Sequence, residues 1–78
     1  MANNKLANLM RERGVTVKAL GDLSGISWRT IENLYQGRRK TYNAQAYIVL
    51  ELAEALGVHP AEIVDDPPLE LAPGIKII

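Results

Sequence analysis

The chain contains no cysteine. No disulfide framework can staple it and no thiolate can hold a metal, which fits a reducing compartment such as the cytosol. Long apolar runs are missing too. The most apolar segment, Ala44 to Leu56, is interrupted by Gln45, Glu51 and Glu54, well short of the roughly 18 unbroken apolar residues a membrane span needs. The first residues, MANNKLANLMRERG, lack the continuous apolar stretch of a signal peptide. Histidine is scarce: His59 stands alone, with no second ligand near it in sequence. There is no glycine-rich phosphate loop and no carboxylate pair with an obvious pocket, so the usual catalytic constellations are absent. The expectation is a soluble, cytoplasmic protein that is not an enzyme and needs neither metal nor cofactor. Its 78 residues suffice for one domain. A core this small supports a stability of about 5 kcal/mol or less.

Net charge is also lacking, but only as a sum. Residues 1–42 carry eight lysines and arginines against three acidic residues, a balance of +5; residues 43–78 carry Lys76 against six acidic residues, a balance of −5. A basic half is the electrostatic footprint of a nucleic-acid partner even when the isoelectric point is ordinary. Charge alone is equally compatible with segregation on solvated faces.

What is present is helix punctuation. Asn4 is placed to cap a first helix, Lys5 to Arg13, with Leu6, Leu9, Met10 and Arg13 in an i, i+3, i+4, i+7 rhythm and Gly14 after it. Thr16 opens a second helix running to Ser24, with Leu20 and Leu23 read as its inward face. Ser27 caps a third, Trp28 to Gln36, which buries Ile31 and Leu34 and ends at Gly37. Arg38-Arg39-Lys40-Thr41-Tyr42 reads as a basic loop. Asn43 then caps a fourth helix, Ala44 to Leu56, closed by Gly57, and Pro60 begins a short fifth one, Pro60 to Val64. Residues 1–65 thus read as one helical unit. Residues 66–78 read as an extension, with Pro73-Gly74 between two short β-prone runs and a β-hairpin as one reading of them; so apolar a ribbon is expected to be covered, either by pairing across a two-fold axis in a dimer or by folding over the chain's own helices.

The join between the second and third helices is the most demanding part of the chain. Counted from Val17, the fifth residue is Gly21, the ninth Gly25, the fifteenth Ile31 and the eighteenth Leu34. Two helices crossing steeply need a small residue where their backbones meet, and the turn needs one that tolerates positive φ. Gly21 and Gly25 supply these. Ile26, Ile31 and Leu34 then lock the third helix down and leave Ser27, Trp28, Arg29 and Asn33 facing outward.

On these residues the chain resembles the phage-repressor and Cro type of helix-turn-helix domain, the XRE family. The segments that carry the resemblance are Thr16 to Gly21, Ser24 to Ser27, Thr30 to Leu34, Gln36 to Arg39 and Leu52 to Val58. The resemblance implies an all-α, five-helix, lambda-repressor-like fold that binds double-stranded operator DNA as a homodimer, most often as a repressor. Carried over by position, it implies base reading by Trp28, Arg29 and Asn33 and phosphate contacts at the helix starts Thr16 and Ser27. Lys18 and Thr30 lie beside these, and Arg38, Arg39 and Lys40 match a loop that grips the DNA backbone. Three positions depart from the family pattern. Val17 stands where a bracing glutamine is common. Met10 and Tyr35 stand where an arginine–glutamate pair is common, so an apolar contact is expected instead. The loop after Gly37 is a few residues longer than usual.

Each residue also has a plainer reading. Arg29 is either a bidentate partner for guanine, worth about 1–3 kcal/mol of discrimination, or a surface arginine. Asn33 reads adenine or is simply hydrated. Trp28 meets a thymine methyl, folds back onto the core, or packs on a second subunit. Tyr35, Tyr42 and Tyr47 are read as packing residues rather than a stacking platform. The competing function is a protein-interaction or antitoxin-like module whose residues 66–78 bind a partner protein.

Overall fold

The computed structural model describes residues 4–67, and these are helical with no strand among them. The α-helices are α1 (Lys5–Arg13), α2 (Val17–Ser24), α3 (Trp28–Tyr35) and α4 (Ala46–Leu56). Single 3-10 turns form at Thr41–Asn43 and Pro60–Glu62. The helix starts follow side-chain chemistry. Asn4 Oδ1 accepts the Ala7 N–H at 2.7 Å, Thr16 Oγ1 accepts that of Ala19 at 3.0 Å, and Ser27 Oγ accepts that of Arg29 at 3.3 Å. Each of these fills one of the donor positions that a helix start leaves open.

α2 packs against both α3 and α4. Leu6, Met10, Leu20, Ile31, Leu34, Leu52 and Ile63 are fully buried and draw every α-helix and the residue that follows the second 3-10 turn into one core. Three polar contacts close the shell. The Asn4 amide donates to the Leu34 carbonyl at 3.1 Å, fastening the start of α1 to the end of α3. The Arg13 guanidinium donates to the Leu56 carbonyl, satisfying an acceptor at the end of α4. Asp65 joins three segments: its Oδ1 accepts the Lys5 N–H at 3.1 Å, its Oδ2 accepts the Thr41 hydroxyl at 2.9 Å, and its own N–H donates to Thr41 Oγ1 at 2.9 Å. The carboxylate therefore lies at the positive end of α1.

The structure corrects four expectations. Among the described residues there are four α-helices, not five. The expected fifth is the single turn Pro60–Glu62, held by a capping box in which His59 Nδ1 accepts from Ala61 at 3.1 Å and Glu62 Oε2 accepts from His59 at 2.9 Å. Helix cannot continue because Ile63 turns into the core and Asp65 is tied to Thr41. α4 begins at Ala46, not Ala44, because Thr41–Asn43 is taken up by its own 3-10 turn. Leu23 is 67% exposed; the inward stripe of α2 is Val17, Leu20, Gly21 and Ser24, the i, i+3, i+4, i+7 set, and Leu23 lies off it. Tyr47 is 59% exposed and takes no part in the core. The hairpin expected near Pro73-Gly74 lies outside the described residues.

Candidate nucleic-acid interface

The crossing of α2 and α3 sets the geometry of the site. Gly21 lies where a Cβ would stand 3.3 Å from the Ile26 carbonyl oxygen and 3.8 Å from Trp28 Cα and Ile31 Cδ1. A side chain there would need the Ile26 carbonyl, just before α3, to give by a few tenths of an ångström. Gly25 bridges the helices at φ +77°, a conformation L side chains rarely adopt. With Ile26 and Ile31 buried below, the first turn of α3 is presented outward: Ser27, Trp28 and Arg29 are all exposed.

Trp28 settles one of its readings directly. Its indole is 58% exposed and does not fold into the core. Instead the Arg29 guanidinium lies 5.7 Å from the centre of its ring, within range of a cation–π contact. Lys18 reaches the same area from α2: it and Trp28 both line a depression of about 560 Å³ between the two helices. Asp22 and Glu32 share that lining and bring negative charge beside the basic face. The sequence reading did not single out either one, although their spacing from Lys18 and Trp28, four residues in each case, puts them on the same helix faces.

A second group forms at the far end of α3. Asn33 is half-buried; its side-chain oxygen accepts from Arg38 at 3.4 Å, and its backbone carbonyl accepts the Arg39 N–H at 3.1 Å. The basic loop is thus anchored to the helix. Arg38 and Lys40 remain exposed, whereas Arg39 is half-buried. Thr30 is half-buried on the flank of α3, and Thr16 is exposed at the start of α2. The starts of α2 and α3 carry the positive end of a helix dipole, and one N–H at each, of Ala19 and of Arg29, is taken by the capping side chain. The ten expected site residues therefore fall on the starts of α2 and α3, the outer side of α3 and the loop that follows it.

A model of the Cro/C1-type HTH DNA-binding domain matches residues 5–68. The chain belongs to that family. Its match spans all four α-helices and both 3-10 turns. Among its relatives is an uncharacterized HTH-type transcriptional regulator, y4dJ, of Sinorhizobium fredii, 36% identical over 64 residues, covering 82% of this chain and 79% of that protein. The crystal structure of the restriction-modification controller protein C.AhdI from Aeromonas hydrophila superposes with a TM-score of 0.65 at 29% identity, covering 74% of this chain and 83% of that one. The family is one of DNA-binding proteins, not an enzyme class. Among the described residues no group of acidic, histidine or cysteine side chains could hold a metal ion, and no helix is long and apolar enough to cross a membrane.

Two family departures have structural outcomes. Val17 is half-buried and packs against the core, so the first residue of α2 is spent on packing. At the position where an acidic partner is common, Tyr35 packs against the core and carries the Arg11 guanidinium 5.9 Å from its ring centre. An aromatic contact, rather than a carboxylate, thus meets the basic side chain of α1.

Proposed function

We propose that this chain is a sequence-specific transcriptional regulator that represses by inserting the first turn of α3 into the major groove of operator DNA. The observation that carries the proposal is the outward presentation of Trp28 and Arg29 at a helix start fixed by the Gly21 crossing. Arg29 is assigned the base-edge contact, with guanine O6 and N7 as its natural partners. Trp28 supplies apolar contact to a thymine methyl or a sugar edge, and Asn33 reads a base one turn further along. Thr16, Lys18, Ser27 and Thr30 bound the groove at its phosphates. Arg38, Arg39 and Lys40 grip the adjoining backbone, which confers affinity and salt dependence but no sequence preference.

The proposed working form is a homodimer in the cytoplasm. Two copies would set their α3 helices about 34 Å apart, one turn of DNA, on a two-fold symmetric site. Repression requires only that such a site overlap a promoter. Selection from a random duplex pool tests the reading. An enriched motif with two inverted half-sites about one turn apart is expected. Recovery of unenriched sequence after repeated rounds, with binding that vanishes at moderate salt, would reject sequence-specific recognition.

A further inference from the structure

The chain doubles back on itself after α3. Gly37 turns it at φ +80°, and the Arg39 N–H then donates to the Asn33 carbonyl at 3.1 Å. This return brings Arg38 to the flank of α3, where its guanidinium donates to Asn33 Oδ1 at 3.4 Å. Asn33 therefore holds the loop twice, once by its backbone and once by its side chain. Chemistry dictates which amide atom faces Arg38. A guanidinium carries five N–H donors and no acceptor, so only the amide oxygen can pair with it. The Nδ2 amino group is left as the end turned away from the loop.

We infer, resting on the proposed placement of α3 in the major groove, that Arg38 is a positioning residue that decides which bases Asn33 accepts. An asparagine reads adenine at two points, its oxygen accepting from N6 and its nitrogen donating to N7. With the oxygen drawn to Arg38, Asn33 meets the groove as a donor only. A donor suits a keto base, guanine through O6 and N7 or thymine through O4. It is opposed by the amino groups of adenine and cytosine. The adenine partner expected from residue type thus gives way to a keto base. The other N–H groups of Arg38 stay available to a phosphate, so one side chain ties the DNA backbone to the reading residue.

The test begins with the motif selected from random duplexes. Asn33→Ala marks the position concerned by relaxing one base pair in each half-site. The four pairs at that position are then titrated with the parent, Arg38→Ala and Lys40→Ala. For the parent, the two pairs with a keto base on one strand, G·C and T·A, should bind about tenfold tighter than the two with an amino base there. Arg38→Ala should raise A·T relative to those two by a similar factor. Lys40→Ala, which removes charge from the same loop, should weaken all four alike. Arg38 is exposed, so thermal unfolding of its variant should match that of the parent. One A·T orientation standing alone above the other three in the parent overturns the inference, as does an Arg38→Ala profile parallel to the parent's. An Asn33→Ala variant that relaxes no position also overturns it, while base preference that depends on Arg29 would leave sequence-specific recognition standing. Failure to enrich any motif rejects that recognition itself, and the role of Arg38 with it.

Discussion

Gly21 and the carbonyl oxygen of Ile26 approach so closely that a single added Cβ would stand 3.3 Å away. The oxygen is backbone, held by the turn into α3, and cannot swing aside as a side chain would. Gly21→Val should therefore destabilise the domain by about 1–3 kcal/mol, the usual cost of overpacking. Gly21→Ala should cost less, because its gain of about 1 kcal/mol in helix propensity opposes the tight contact. Urea unfolding of the two variants beside the parent checks both the sign and the order.

Asp65 and Thr41 close the domain from its C-terminal side. Thr41 is buried, and its hydroxyl both donates to and accepts from Asp65. Asp65→Ala removes the acceptor for the Thr41 hydroxyl and for the Lys5 N–H together, and is expected to cost about 1–3 kcal/mol. Thr41→Val strands the Asp65 N–H and should fall in the same range. Thermal unfolding of both singles and the double would show strongly non-additive losses, because they share the same bonds.

Much of this was legible in the residues. The starts of α1, α2 and α3 follow from Asn4, Thr16 and Ser27, and α1 and α4 end where Gly14 and Gly57 take up positive φ. These are local signals, carried within one helical turn. The α2–α3 crossing that presents the candidate site was legible for the same reason, since Gly21, Gly25 and Trp28 lie within eight positions of one another. What failed was non-local. Asn43 looks like a helix cap, yet Thr41, held by a residue 24 positions later, winds that stretch into a 3-10 turn. Pro60 looks like the start of a helix, yet Ile63 is drawn into the core after a single turn. Leu23 fits an i+3 step from Leu20, but the neighbours packed on α2 use Gly21 and Ser24 instead.

Arg29 and Lys40 should separate specificity from affinity. Both are exposed, so neither substitution threatens the fold. Arg29→Ala is expected to lose about 1–3 kcal/mol of discrimination between an operator and its single-base variants. Lys40→Ala should weaken every duplex alike and lower the slope of log affinity against log salt by about one. Titrations at several salt concentrations, on matched and mismatched duplexes, distinguish the two behaviours.

Trp28 is the chain's one tryptophan and stands at the proposed point of contact. Its emission therefore reports on the first turn of α3 and on nothing else. Trp28→Ala should leave stability within about 0.5 kcal/mol of the parent, as an exposed substitution does, while operator affinity falls.

The most direct test follows the Trp28 emission while a duplex carrying the selected motif is added. A saturable change in intensity or wavelength is predicted, complete at one chain per half-site and reversed by salt. Tight binding of the same duplex, seen by mobility shift, with the emission unmoved would contradict the placement of α3 in the groove.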